Sequence, residues 1–403
     1  MRGSLKNHPL GLMIQMAQMA QMALVMTLML WVAGCAHVSA EAPRADSLLH
    51  DDLYPAAKAV ADPAQVFALS PAMRRYADEV LVEAVQRVDP RRALVDALYS
   101  RSRLGLAYDA SRTRNASEAF EARAGNCLSL VIMTAAFAQH LGLPVGFQSV
   151  ALAELYTRSG GLTFASGHVN LVMQRLPNVG VLFRGGQDEL TIDFVPQSEL
   201  RGQITTVIST DTVLAMYFNN RAAEALAEGR SDEAYAWARS AVLQDASFHA
   251  GFNTLGVIYQ RSGHLPQAEA ALRRVLKAEP DNSAALSNLV LLLRRSGRDA
   301  EAERHAAHLV EVQPYPPFHF LELGRKAMEA GDWTSARRHF ARELKRQPHQ
   351  HEVHFWAAQA AWRLGDASKA AEHLKLARDF STTMASQALY SAKLETLKAM
   401  RVQ

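Results

Sequence analysis

Five glycines, Gly229, Gly263, Gly297, Gly331 and Gly365, fall 34 residues apart, and five residues after each stands an alanine: Ala234, Ala268, Ala302, Ala336 and Ala370. Pro280, Pro314 and Pro348 keep the same period, and Phe218, Phe252 and Phe320 hold another register of it. Leu255-Gly256 with Tyr259, and Leu323-Gly324, add to the pattern. A fixed period of this length leaves the second half of the chain few solutions. Each unit is expected to be a pair of helices. Glycine makes the turn between them, alanine lets the second helix approach the first, and proline ends the unit. One such unit buries too little apolar surface to fold alone, so the units must stack on one another. The pattern covers residues 216–384 as five units, and Leu389, Leu394 and Leu397 mark a capping helix over residues 385–403.

These residues resemble the tetratricopeptide repeat. The resemblance implies an all-α solenoid whose concave face takes a protein or peptide partner. Two local clusters have plainer readings. His349, His351 and His354 lack the spacing that places ligands on one helical face and have no cysteine nearby, so they read as a solvated turn. Arg294, Arg295, Arg337, Arg338 and Arg342 are interleaved with Glu301, Glu303 and Glu343, which reads as ordinary solvated surface. With a net charge of +3 over 403 residues and no basic stripe, no nucleic-acid partner is expected.

The other end of the chain carries an address. Arg2 and Lys6 precede an uncharged, methionine-rich stretch from Gly11 to Ala33, and small residues lead to Cys35. Val32-Ala33-Gly34-Cys35 resembles the lipobox of bacterial lipoproteins. That resemblance implies a signal peptide over residues 1–34, a lipid anchor on Cys35 and a place in the cell envelope facing the periplasm. Ala36, in place of an aspartate, points to the outer membrane. The apolar run is also long enough for an uncleaved membrane anchor, but Gln15, Gln18 and Gln21 weaken its first half. Residues 35–69 have no clear periodicity and read as a tether. Of the two cysteines, Cys35 is claimed by lipid, which leaves Cys127 as a free thiol.

Between tether and repeats the reading turns on Cys127. Helices are predicted from Ser70-Pro71 to about Val88, from Asp89-Pro90 to about Tyr99, and over Ala116–Ala122 behind the capping-box pair Asn115 and Glu118. Gly125 and Asn126 then precede Cys127, and helix formers follow to Leu141, with Gly142 as the terminating residue. Unpaired amides and the positive dipole end face the sulfur, and both favour thiolate over thiol. Strands are predicted at residues 144–152, 167–174, 180–183 and 190–195, with His168 on the second and Asp193 on the last. A thiolate attacks an amide carbonyl, an imidazole moves the proton, and a carboxylate fixes the imidazole tautomer. Taken singly, each residue has a structural reading: a buried core cysteine, a core histidine, a strand-end aspartate.

Phe120-Glu-Ala-Arg-Ala-Gly-Asn-Cys127 with its helix, Gly167-His168-Val-Asn, and Thr191-Ile-Asp193-Phe resemble the transglutaminase-like superfamily, nearest its bacterial papain-like cysteine proteinases. The resemblance covers residues 70–210. It implies an α+β domain with catalytic Cys127, His168 and Asp193 acting on amides without metal or cofactor. Leu128 and Val169 stand where many members have an aromatic residue, so substrate preference does not carry over. The Cys127 backbone N–H, and Gln148, are candidate oxyanion donors. The expected whole is a transglutaminase-like α+β domain followed by an all-α repeat solenoid: an envelope-anchored, thiol-dependent peptidase or amide hydrolase that recruits a protein through its repeats. The alternative is a non-catalytic scaffold lipoprotein.

Overall fold

A computed structural model describes residues 45–57, 60, 62–82, 89–100, 102–159, 162–174, 189–194 and 204–402. The expected signal peptide, Cys35 and the strand expected at 180–183 lie outside the described residues. Among the described residues no helix is long and apolar enough to cross a membrane.

The first half mixes helices and strands. Helix α1 is Pro63–Val66, and α2, Pro71–Tyr76, runs on as a π-helical turn over Ala77–Leu81. Helices α3, Pro90–Tyr99, and α4, Ala116–Ala122, start at the predicted caps. Asp89 accepts from the Arg91 N–H, and the Asn115 and Glu118 side chains each accept from the other's backbone. Two-residue strands β1, Ala107–Tyr108, and β2, Ala124–Gly125, pair in parallel immediately before α5, Cys127–His140. An antiparallel sheet of order β5-β4-β3-β6 follows: β3 is Val145–Ser159, β4 Leu162–Gln174, β5 Glu189–Ile192 and β6 Thr205–Ile208.

Strands β3 and β4 are longer than the sequence predicts, with a register shift between Val150 and Leu155. Leu155-Tyr-Thr and Leu162-Thr-Phe are β-formers, so the two strands stay paired as far as Ser159 and Leu162. Helix α5 packs on β4 and is buried almost all round, from Leu128 to Ala138. An all-round apolar helix belongs inside a core.

The second half is a solenoid. Helix pairs α6/α7 (Thr210–Ala227 and Ser231–Gln244), α8/α9 (His249–Arg261 and Leu265–Ala278) and α10/α11 (Ser283–Arg295 and Asp299–Val312) come first. Pairs α12/α13 (His319–Glu329 and Trp333–Arg346) and α14/α15 (His351–Arg363 and Ala367–Asp379) follow, and α16, Met384–Val402, closes the array. The five periodic glycines all have left-handed φ, from +71° to +86°, as the turn between paired helices requires. Gly324 serves close approach instead: a Cβ there would lie 2.3 Å from the Phe340 ring.

Four readings are corrected by packing. The halves are not separate at residue 216, because one hydrophobic core runs from Leu48 through α5 and β4 to Ala302. The segment read as a tether is docked over residues 45–57. The Tyr54 ring stacks on Tyr235 at 4.2 Å, and the Tyr235 hydroxyl donates to Asp51 Oδ1 at 2.7 Å. The Tyr259 hydroxyl donates to the Leu48 carbonyl at 2.9 Å, and the Arg239 Nε donates to Asp51. Large tyrosine faces with a polar tip make this segment adhere where composition suggested solvent. His354 is buried rather than in a solvated turn, with Nδ1 3.0 Å from His373 Nδ1 and Nε2 bonded to the Pro348 carbonyl. Glu343 is buried too, while Glu301 and Glu303 stay at the surface in ion pairs with arginines.

Candidate active site

Asn126 caps α5 as the sequence predicts. Its backbone is extended, and its Oδ1 accepts from the Ser129 N–H at 2.9 Å and from the Ser129 hydroxyl at 2.7 Å. Cys127 therefore stands at the first helical position, half-buried, beside amides that no helical carbonyl satisfies. It is a free thiol.

His168 lies within β4, opposite Val150 of β3, and Asp193 follows the last residue of β5. The antiparallel pairing of Leu171 with Ile192 brings the two side chains together across the ladder. His168 Nε2 and Asp193 Oδ1 are 2.6 Å apart, with side chains only 4% and 7% exposed. The Cys127 side chain lies close enough to the same imidazole to act on its charge. Nε2 is occupied by Asp193, so Nδ1 is the ring nitrogen left for proton exchange with the sulfur. The three residues singled out in the sequence are thus assembled in the order thiol, imidazole, carboxylate.

The electrostatics follow from this contact. Burial alone pulls the His168 pKa down. The hydrogen bond to Asp193 and the nearness of Cys127, with their charges, outweigh burial and raise it to about 9. The imidazole beside the sulfur is therefore cationic at neutral pH. Asn170, on the same strand as His168, adds a weak contact from Nδ2 to Asp193 Oδ2 at 3.5 Å. The Asn170 Oδ1 is buried and has no partner among the described residues.

One group at the site had no signal in the sequence. Tyr108 ends β1, and its parallel pairing with Gly125 sets its side chain beside the turn into α5. Its hydroxyl stands near the Cys127 backbone and side chain, which both act on it. Desolvation at the hydroxyl, then the charge of Cys127, push the phenol pKa up and keep it protonated, although 39% of the residue stays exposed. Gln148 lies instead on β3, opposite Asn170. The side chain near Cys127 is that of Tyr108.

Comparisons with known proteins bear on the second half of the chain. Residues 253–315 and 321–385 match the tetratricopeptide repeat family model, so this region carries tetratricopeptide repeats. No curated protein matches the chain. Among solved structures it is similar to one described as a functional characterization of Pseudomonas aeruginosa pilF, at 20% identity, covering 46% of this chain and 85% of that one with a TM-score of 0.28. It is similar to YrrB, described as a TPR protein with an unusual peptide-binding site, at 20% identity over 45% and 92% of the two chains with a TM-score of 0.24. It is also similar to MamA (MSR-1 C2), at 22% identity over 41% and 95% with a TM-score of 0.23.

Proposed function

We propose that the chain is a thiol-dependent hydrolase of amide bonds with a transglutaminase-like catalytic half. The observation that carries this reading is the His168 imidazole, bonded to Asp193 at 2.6 Å and close enough to Cys127 for the sulfur to act on its charge. The Cys127 sulfur attacks the carbonyl carbon, and a C–S bond forms as the carbonyl π pair moves to oxygen. The tetrahedral intermediate collapses, the C–N bond breaks, and His168 gives its proton to the leaving amine. His168 then takes a proton from water, which attacks the thioester and returns the sulfur. Asp193 holds the imidazole tautomer and stabilises the imidazolium throughout. The negative oxygen of the intermediate meets the Cys127 N–H. The Tyr108 phenol stands near Cys127, and on substrate entry it turns to donate a hydrogen bond to the oxyanion.

The tetratricopeptide half supplies a concave surface for a protein or peptide partner, the usual work of such arrays. The lipobox-like Val32–Cys35 sequence supports a lipid-anchored, periplasm-facing protein of the outer membrane. Cys35→Ser is then expected to move the chain from the membrane to the soluble fraction; retention on membranes would remove this part of the reading.

An activated ester tests the catalytic reading without knowledge of the substrate. Wild-type protein should release nitrophenol from p-nitrophenyl acetate in a stoichiometric burst, with acetyl found on Cys127. Tyr108→Phe should slow the burst roughly a hundredfold, the order seen when one oxyanion donor is removed. A burst that survives Cys127→Ala, or no burst in folded wild type, would leave the scaffold reading in its place.

A further inference from the structure

We propose that Glu224 is a positioning residue for Cys127, reaching the thiol from the first repeat helix through Thr113 and Asn126. The inference rests on the reading of Cys127 as a nucleophile. It begins with Thr113, which is 1% exposed and held from three sides. Its N–H donates to Glu224 Oε1 at 2.6 Å, and its carbonyl accepts from Arg221 Nη1 at 3.3 Å. Its hydroxyl accepts from Asn126 Nδ2 at 2.8 Å. Asn126 spends its other end on the first turn of α5, through the Ser129 N–H and hydroxyl. The Ser129 hydroxyl also accepts from the Arg114 N–H at 2.8 Å. An unbroken set of short polar contacts therefore joins α6 to the cap that sets the Cys127 sulfur and amide.

Glu224 and Arg221 are paired with each other at 3.4 Å and stand one turn apart on α6. Both grip a backbone group of Thr113, so they fix the main chain and not merely a side chain. The loop is also internally braced. Asp109, 2% exposed, accepts from the Ser111 N–H, the Ser111 hydroxyl and Arg114 Nη2. From the far end of the array, the Thr382 carbonyl accepts from the Ala110 N–H at 2.6 Å. Residues 109–114 are thus held by the first and the last repeat units at once. The same loop follows Tyr108 and leads to α4. A change of curvature in the solenoid, such as a bound partner produces, acts on this loop directly through these bonds. The thiol site is therefore tuned by the state of the repeats.

The test uses the full chain in three variants: Glu224→Ala, Glu224→Gln and Thr113→Val. Hydrogen exchange over residues 124–131, iodoacetamide alkylation of Cys127 and melting temperature are followed together. Glu224→Ala should raise exchange and slow alkylation, each by roughly tenfold, as expected for a displaced reacting group. Glu224→Gln keeps an oxygen acceptor for the Thr113 N–H and should restore most of both. Thr113→Val cuts only the Asn126 link and should reproduce the Ala result. The surface variant Glu303→Ala should change neither readout. A lower melting temperature with wild-type exchange and alkylation would mean that Glu224 only stabilises the fold, and would overturn the proposal. If Glu224→Ala does not fold, wild-type behaviour of Thr113→Val overturns it equally. An alkylation rate that His168→Ala leaves unchanged would instead remove the nucleophile reading. The exchange arm then still decides whether α6 sets the cap.

Discussion

Iodoacetamide should alkylate Cys127 far faster in the wild-type chain at pH 6 to 7 than in His168→Ala, by roughly a hundredfold. The imidazole carries its proton up to about pH 9, so a cation faces the sulfur through the whole neutral range. A cation so placed attracts the negative charge that sulfur brings to its attack on an electrophile. His168→Ala removes that cation, and reactivity should then rise with pH as an ordinary thiol does, from about pH 8.5. Asp193→Asn keeps an oxygen acceptor but drops the charge, so its rate should fall between the two. The same shift makes a stability statement. The folded pKa of His168 lies above its ordinary value of 6.5, so its contribution is complete below about pH 6.5 and is lost as pH rises through about 9. The shift corresponds to at most about 3 kcal/mol. The wild-type melting temperature should accordingly fall between pH 7 and 9, and His168→Ala should lack that slope. Equal alkylation rates for wild type and His168→Ala across the range would mean that the imidazole does nothing for the sulfur.

These three residues could be read in the chain because each sits on a local signal. Asn126 and Gly142 bracket a helix of unmistakable composition, and the strands of His168 and Asp193 alternate or end in the expected way. The 34-residue period was equally plain, since glycine at a left-handed turn is a one-residue requirement. What stayed hidden depends on distant partners. Tyr108 comes near Cys127 because a two-residue parallel ladder pairs it with Gly125, and two residues carry no periodicity. Strand β6 was missed for a related reason: Ile204 to Ile208 is β-branched throughout but too short to stand out before a helix. Leu48 and Tyr54 looked like residues of a loose tether, and their burial is set by Tyr235 and Tyr259, some 200 positions away in sequence. The polar links from Glu224 to Thr113 span two regions that the sequence reading placed in separate domains.

Glu343 combines hidden burial with a large expected effect. In the other units its register is filled by Ala241, Val275, Leu309 and Ala377, all small or apolar. Here a carboxylate 2% exposed lies inside the array. Its Oε2 accepts from the N–H groups of Phe320 and Leu321 at 2.7 and 3.2 Å, and its Oε1 accepts from Arg346 at 3.1 Å. The cause lies at the start of α12. Phe318 occupies the cap position with φ +63° and offers no side-chain acceptor, after Pro316-Pro317. The first amides of α12 therefore take their acceptor from α13, where the charge also meets the positive end of the helix dipole. Glu343→Ala leaves two buried N–H groups unpaired and takes the carboxylate from Arg346, which keeps only its bond to the Tyr315 carbonyl and its ring contacts. At 1–3 kcal/mol for each of the two orphaned donors, the loss is about 2–6 kcal/mol. Glu343→Gln keeps an acceptor without the charge and should lose roughly half of that. Because a repeat array is stabilised by neighbour contacts, the damage should stay local. Hydrogen exchange should show α12 to α16 opening first in urea, while α5 and β4 keep their protection. An unfolding transition of Glu343→Ala that matches wild type would mean that the α12 amides find another acceptor, and uniform loss of protection would mean that the array unfolds as one body.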